Sequence, residues 1–437
     1  MCLAWSQRAE AAAGPASRDY DRRPAATLDS PALLARLHQD LLTNPATELA
    51  LTRARRQLCL DLPAAPTPLA AAITAQGSLN EYVWSVTEEE SAALASAPAW
   101  VRAMYGPTLA DPELLQRAQR IPALTEVTAG TSTAVRQMYE ENPYPRWHRL
   151  SHRTPHSLDQ SLHELTMGEF DPPDFLRQPR LLVAGCGTGR EMLTAATAWR
   201  PANVTGFDLS RVSLAYAQQM AEQLGVEVDL YQADLLELGD WDRQFDAIVC
   251  TGVLHHLDDP VSGWCALVQL LRPGGVMLVG LYSRQARAGI RVAQADVRRA
   301  GWQPTPVGIR NARTQIMELP REHPGRDCTR LGDFYSLSGC RDMLFHVREH
   351  NFTLPEVAAA LDKVGLEFCG FQTDDDTMRR YRTLFGSPQH LEYWDTLERL
   401  YPHTFLGMYQ FWCRRSDVKQ QDPSTCDPAG REGENDE

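Results

Sequence analysis

No run of 18 apolar residues occurs in the sequence, which excludes a transmembrane helix. The longest apolar stretch, 261–281, is broken by Arg272-Pro273-Gly274-Gly275. No basic-then-apolar segment opens the chain, so no secretory signal is read and a cytoplasmic protein is expected. The 10 cysteines form no CxxC pair and keep no regular spacing, which excludes a disulfide framework and a zinc ribbon and predicts reduced thiols. Basic residues number 43 against 56 acids, a net charge of −13, which makes a poor general phosphate binder, and a nucleic-acid role would need a local basic patch. No 34- or 40-residue period recurs, which argues against a solenoid.

What is present is a chain of 437 residues, long enough for about two or three domains with real cores. Residues 1–28 carry little periodicity and are expected to form a disordered arm. Residues 417–437 hold seven acids and two bases and read as a disordered acidic tail. From 29 to 150 the pattern is helical. Ser30-Pro31 precedes Leu33, Leu34, Leu37 and Leu41 at helix spacing, Thr87-Glu88-Glu89-Glu90 is a capping box, and Asp111-Pro112 starts a further helix. An all-α domain is expected there, followed by a connecting segment over 151–178.

From 179 the character changes. Apolar runs at 180–184, 203–207, 228–232, 245–250 and 276–281 alternate with helical windows, and this predicts an α/β domain with a parallel sheet covered on both faces. The domain is expected over 179–416. Residues 284–350 interrupt the alternation and read as an insertion. A strand is expected over 367–372, and a last one over 405–413.

The first strand runs into Gly185-Cys186-Gly187-Thr188-Gly189. Glycines there let the backbone turn sharply and let a ligand approach it without an intervening Cβ. A dinucleotide fingerprint needs a third glycine at position 190, and that residue is Arg190. Asp208 ends the second strand, Ala233-Asp234-Leu235 follows the third, and the fourth runs from Phe245 through Thr251 to Leu254-His255-His256. Leu271-Arg272-Pro273-Gly274-Gly275 leads into the fifth.

This ordered set resembles the class I S-adenosylmethionine (SAM) methyltransferases. The resemblance implies a doubly wound, Rossmann-like sheet of seven strands, the last antiparallel, preceded here by the all-α domain. It also implies SAM as cofactor. Gly185, Cys186, Gly187 and Gly189 would pass beneath the donor, with Asp208 on the ribose hydroxyls. Leu209 and Leu235 would pack beside the adenine, Asp234 would accept its amino group, and Thr251 would flank the methionine part. Many members carry an acid two residues before the first glycine to hold the methionine ammonium. This chain has Val183, so the ammonium needs backbone carbonyls near Gly185 and Thr251 or another side chain.

A second string, Tyr139-Glu140-Glu141-Asn142-Pro143-Tyr144-Pro145-Arg146-Trp147, occurs with Asn80-Glu81-Tyr82-Val83 and Asp333-Phe334-Tyr335-Ser336. Together they resemble a bacterial subgroup of these enzymes that is often fused to tetratricopeptide repeats. Two prolines keep the segment extended. Tyr144 and Arg146 are read as parts of a lid over the cofactor, with Arg146 on the methionine carboxylate. The alternative is that the string only fastens the helical region to the sheet.

His255 and His256 stand where acceptors enter, and either is a candidate general base. The plainer reading is a loop histidine with a structural hydrogen bond. His148, His152, His156 and His163 suggest a metal site at first sight, but Pro155 prevents a shared helix, and no metal is expected. Tyr335, Arg341, His346, Arg348 and His350 of the insertion either hold an acidic substrate or form a solvated face. The implied reaction is methyl transfer by in-line displacement, a small-molecule acceptor being the preferred reading. The alternatives are a protein methyltransferase whose helical domain docks a polypeptide partner, and a non-catalytic SAM-binding module.

Overall fold

Seven strands pair into one sheet in the computed structural model, which describes residues 28–106, 112–127, 130–150, 154–239, 241–386 and 389–416. Most of the expected arm, the acidic tail, Asp111 and His152 lie outside the described residues. The strands are β1 (Arg180–Ala184), β2 (Asn203–Asp208), β3 (Asp229–Gln232), β4 (Phe245–Thr251), β5 (Leu271–Leu281), β6 (Leu366–Phe371) and β7 (Tyr409–Arg415). Their order is β3-β2-β1-β4-β5-β7-β6. The first five pair in parallel, and β7 runs antiparallel to β5 and β6. The central strands are apolar at nearly every position because helices cover both faces. Most strand limits fall within one residue of expectation, but β5 starts already at Leu271, and β7 starts at Tyr409 rather than at 405.

The helices before the sheet are α1 (Pro31–Leu37), α2 (Pro45–Asp61), α3 (Pro68–Leu79), α4 (Glu88–Leu94), α5 (Ala99–Arg102), α6 (Pro112–Arg120), α7 (Gly130–Glu141) and α8 (Leu158–Leu165). Within the sheet region come α9 (Arg190–Trp199), α10 (Arg211–Leu224) and α11 (Pro260–Leu270). The insertion carries α12 (Ala288–Arg299), α13 (Pro306–Glu318) and α14 (Leu337–Phe345), and α15 (Leu354–Val364), α16 (Asp375–Phe385) and α17 (Leu391–Leu400) follow. Sequence signals set several starts. Ser30 and Thr67 each accept a backbone N–H ahead of a proline at the first helical position, and Thr87 and Glu90 close a reciprocal capping box.

Packing divides the helical region in two. Leu33, Leu51, Ile73 and Val101 share one apolar core with Ile290, Ile309, Ile316, Phe334 and Met343 of the insertion. Arg313 of α13 is buried in that core and pairs with buried Glu48 of α2 at 3.0 and 3.1 Å, while its Nε donates to the Phe334 carbonyl. Ile121, Trp147, Leu158 and Leu162 instead pack on one face of the sheet with Leu181, Val183 and Leu214. Residues 29–150 therefore serve two cores, because the apolar faces of α1 to α5 find their complement in the insertion. Among the described residues no helix is long and apolar enough to cross a membrane. Among the described residues Cys59, Cys186, Cys250, Cys328, Cys340, Cys369 and Cys413 are free thiols.

Candidate active site

Order reverses between β1 and β4, since β2 lies on one side of β1 and the chain returns to the other. Ligands of open α/β sheets bind at the carboxyl ends of strands at such a switch point. Gly185, Gly187 and Gly189 all sit there with positive φ (62°, 50° and 80°). Their missing side chains leave room for neighbours. A Cβ on Gly187 would meet the Tyr144 carbonyl at 2.9 Å, and one on Gly189 would meet Ala217 of α10 at 2.7 Å. Cys186 is buried and its N–H bonds the Phe207 carbonyl at 3.0 Å, which ties the loop to β2.

Asp208 ends β2 beside this loop. Its carboxylate accepts the N–H of Gly187 at 2.8 Å and of Ser210 at 2.9 Å. Burial pushes its pKa up to about 6, the Glu140 charge adds to that, and the N–H bonds oppose it. Leu209 follows, half-buried, and its carbonyl takes the Gln232 amide at 2.9 Å. Asp234 caps the turn after β3 by accepting the Leu236 N–H, and Leu235 is buried beneath it. Residues 122–125 run along the end of β3: Leu124 N–H donates to Gln232, and Asp234 N–H donates to the Thr125 hydroxyl. Sequence reasoning gave no sign of this cover.

Val183 faces the core and offers no charge. The carboxylate that does reach the end of β4 belongs to Glu191, in the first turn of α9. Thr251 donates its hydroxyl to Glu191 Oε2, and Oε1 is buried without a hydrogen-bond partner. Glu191 was missed in the sequence. The vacancy at Val183 was the signal, but no local spacing says which acid fills it.

The segment 142–147 lies over the glycine loop. Pro145 takes the Thr188 hydroxyl on its carbonyl at 2.5 Å, and the Trp147 indole donates to the Thr188 carbonyl at 3.1 Å. Tyr144 donates to Asp333 of the insertion at 2.6 Å. The three strings read together in the sequence meet in space. Glu81 accepts both the N–H and the hydroxyl of Ser338, and the Asn80 carbonyl accepts the Leu337 N–H. Arg146 is exposed, and its charge acts on Glu81, Tyr82 and Tyr216.

On the acceptor side, His255 is fully buried and stacks on Tyr282 at 3.9 Å, with neither ring nitrogen paired in good hydrogen-bond geometry. That packing encloses the ring on all sides. His256 is nearly buried too, but its Nδ1 lies 2.7 Å from the Arg348 carbonyl. A carbonyl only accepts, so Nδ1 carries the proton and Nε2 keeps its lone pair. Burial, and next the charge of His346, hold the His256 pKa well below the usual histidine range. Around it stand Tyr139, which donates to Asp342 at 2.5 Å, then Tyr282 and His346. Of the other insertion residues, Arg341 pairs with Glu141 at 2.7 Å and Arg348 with Asp258 at 2.8 Å, so these cations have partners within the chain. His156 and His163 lie elsewhere, on and just before α8.

The sheet order, glycine loop and strand-end acids form a doubly wound, Rossmann-like sheet. Residues 181–275 match the family described as a methyltransferase domain. An uncharacterised protein of Synechococcus sp. is 32% identical over 275 residues, 58% of this chain and 64% of that protein. A ubiquinone biosynthesis O-methyltransferase of Alkalilimnicola ehrlichii is 37% identical over 110 residues, 25% of this chain and 44% of that enzyme. This chain thus spans less than two thirds of the length of either relative. Among solved structures, a Rickettsia typhi protein called PKMT2, in complex with AdoHcy, is similar at 15% identity and a TM-score of 0.45, over 61% of this chain and 54% of that one.

Proposed function

We propose that this protein transfers a methyl group from SAM to a small-molecule acceptor. The observation that carries this reading is the tight glycine loop at the β1/β4 switch point, flanked by Asp208 on one side and by the unpaired oxygen of Glu191 on the other. SAM would supply an activated methyl on a sulfonium. The residues of this chain would bind and align it. Asp208 would accept the ribose hydroxyls, Asp234 the adenine amino group, and Leu209 and Leu235 would pack the ring. Glu191 and Thr251 would hold the methionine ammonium in place of an acid at position 183.

Catalysis by positioning needs the nucleophile held in line and water kept out. Segment 142–147 and the Asp333 turn would close over the loop from the helical side. His256 Nε2, with its lone pair free, would take the acceptor proton where the acceptor arrives protonated. Enclosure by Tyr139, Tyr144, Tyr282 and Asp342 favours a small acceptor over a polypeptide, since a chain needs an open groove. The Asn142–Trp147 string supports placing the protein in the subgroup that carries this motif, and the free thiols among the described residues fit a cytoplasmic setting.

The test uses methyl-labelled SAM in a size-fractionated cell extract. Label in the small-molecule fraction is the expected result. Label in protein would transfer the docking role to the helical region, and a failure to bind SAM at all would overturn the assignment.

A further inference from the structure

Apart from the groups assigned to the methyl donor, three side chains converge beyond the end of β4. His256 closes the short turn Leu254–His256. Asp342 lies on α14 and His346 follows its last residue, four positions on, so both project from one side of that helix. One ligand-type atom from each of the three lies within 4.8 Å of the others. Two imidazoles and a carboxylate at that separation have the donor atoms to share one ion.

Each is held as a ligand needs to be. The Arg348 carbonyl fixes the proton of His256 on Nδ1 and leaves Nε2 as a donor, the arrangement that orients metal-bound histidines. The His346 ring stacks on His256 at 3.6 Å, and its Nε2 is buried with no hydrogen-bond partner. Asp342 is 5% exposed, and Tyr139 donates to its Oδ1 at 2.5 Å, with the Tyr282 hydroxyl 3.5 Å from Oδ2. No ion pair to Asp342 exists among the described residues. The cation whose charge reaches it is buried Arg287, which is itself paired with Glu349 at 2.9 Å, so the carboxylate has hydroxyl partners and no direct ion pair of its own.

We propose that His256, Asp342 and His346 bind a divalent transition-metal ion, zinc being the ion this donor set suits best. Two imidazole nitrogens and one carboxylate match zinc's ligand preference, whereas calcium and magnesium favour all-oxygen sites. Three protein ligands leave a fourth tetrahedral position for water or for an acceptor oxygen. One local change accompanies binding. His346 Nδ1 now accepts the exposed Arg348 N–H at 3.1 Å, which places its proton on Nε2. When the metal takes Nε2 that proton moves to Nδ1, and the Arg348 N–H turns to water. A metal here would also take over from His256 the task of acidifying an acceptor hydroxyl.

The experiment uses the full chain, stripped with a chelator, and reads metal binding alone, so its outcome is separate from that of the methyl-transfer reading. Zn²⁺ is titrated against a chromophoric chelator, and Co²⁺ is added as a visible-absorption probe. The expected result is a single equivalent bound, with the Co²⁺ spectrum of a four-coordinate nitrogen–oxygen site. Asp342→Asn and His346→Gln should weaken binding more than Tyr139→Phe, for which a loss of about 10–100-fold is the usual effect of removing a group that orients a ligand. Circular dichroism melts of each variant separate lost ligands from lost folding. Absence of Zn²⁺ binding to the wild-type chain, or binding that folded Asp342→Asn and His346→Gln leave unchanged, would overturn the proposal.

Discussion

Glu191, in the first turn of α9, accepts the hydroxyl of Thr251 at the end of β4, sixty residues away, and turns its other oxygen into a buried position with no partner. A carboxylate half-satisfied in this way is a prepared seat for a cation.

Glu191→Gln is expected to reduce SAM affinity by about 1.5–3 kcal/mol, the worth of a hydrogen bond to a charged group, while keeping an acceptor for Thr251. Methylthioadenosine lacks the methionine ammonium, so its affinity should stay unchanged. Calorimetric titration of both ligands checks this. Equal losses for the two would place Glu191 away from the ammonium.

Asp208→Ala should cost SAM binding about the same 1.5–3 kcal/mol through the lost ribose hydrogen bonds. Ionisation adds a pH signature. The folded pKa is about 6, above the unfolded value of about 3.9, so the fold holds the proton more tightly than the unfolded chain. This group's contribution to stability is therefore greatest at low pH and declines as pH rises through that interval. SAM affinity should run the other way, falling as pH drops through about 6. Calorimetry and thermal melts from pH 5 to 8 check both slopes, and Asp208→Asn should remove them.

Gly189→Ala tests the turn. An alanine there must adopt a φ of 80°, and its Cβ would lie 2.7 Å from the Ala217 side chain and 3.1 Å from the Ala217 backbone. The conformational cost alone is about 1–2 kcal/mol. A lowered melting temperature together with weakened SAM binding is expected, because α10 is pushed away from the loop.

Arg313 and Glu48 join the insertion to α2 inside their shared core. Glu48→Gln leaves a buried guanidinium without its charge partner and should cost about 3–5 kcal/mol in urea unfolding. The double change Glu48→Leu with Arg313→Met should recover much of that loss. If the single variant unfolds like wild type, the two segments do not fold as one core.

Much of the sheet was legible in the sequence. Apolar runs bounded by polar turns fix β1 and β4 nearly residue by residue, since a strand buried on both faces must be apolar throughout. The glycine loop and Asp208 were legible for a similar reason, because a tight turn and a strand-end acid are matters of local spacing. β7 was read four residues early, because Phe405 and Leu406 are buried without being in the strand.

The sequence by itself determined the α/β class, several helix starts and the tight glycine loop, all of which follow from periodicity and from residues close together in the chain. Tertiary structure alone decided that α1 to α5 pack with the insertion, that Glu191 reaches Thr251 at the end of β4, and that His256 meets Asp342 and His346. Those relationships join segments far apart in the chain, and they exist only once apolar faces with no local partner have found each other and carried their polar residues into register.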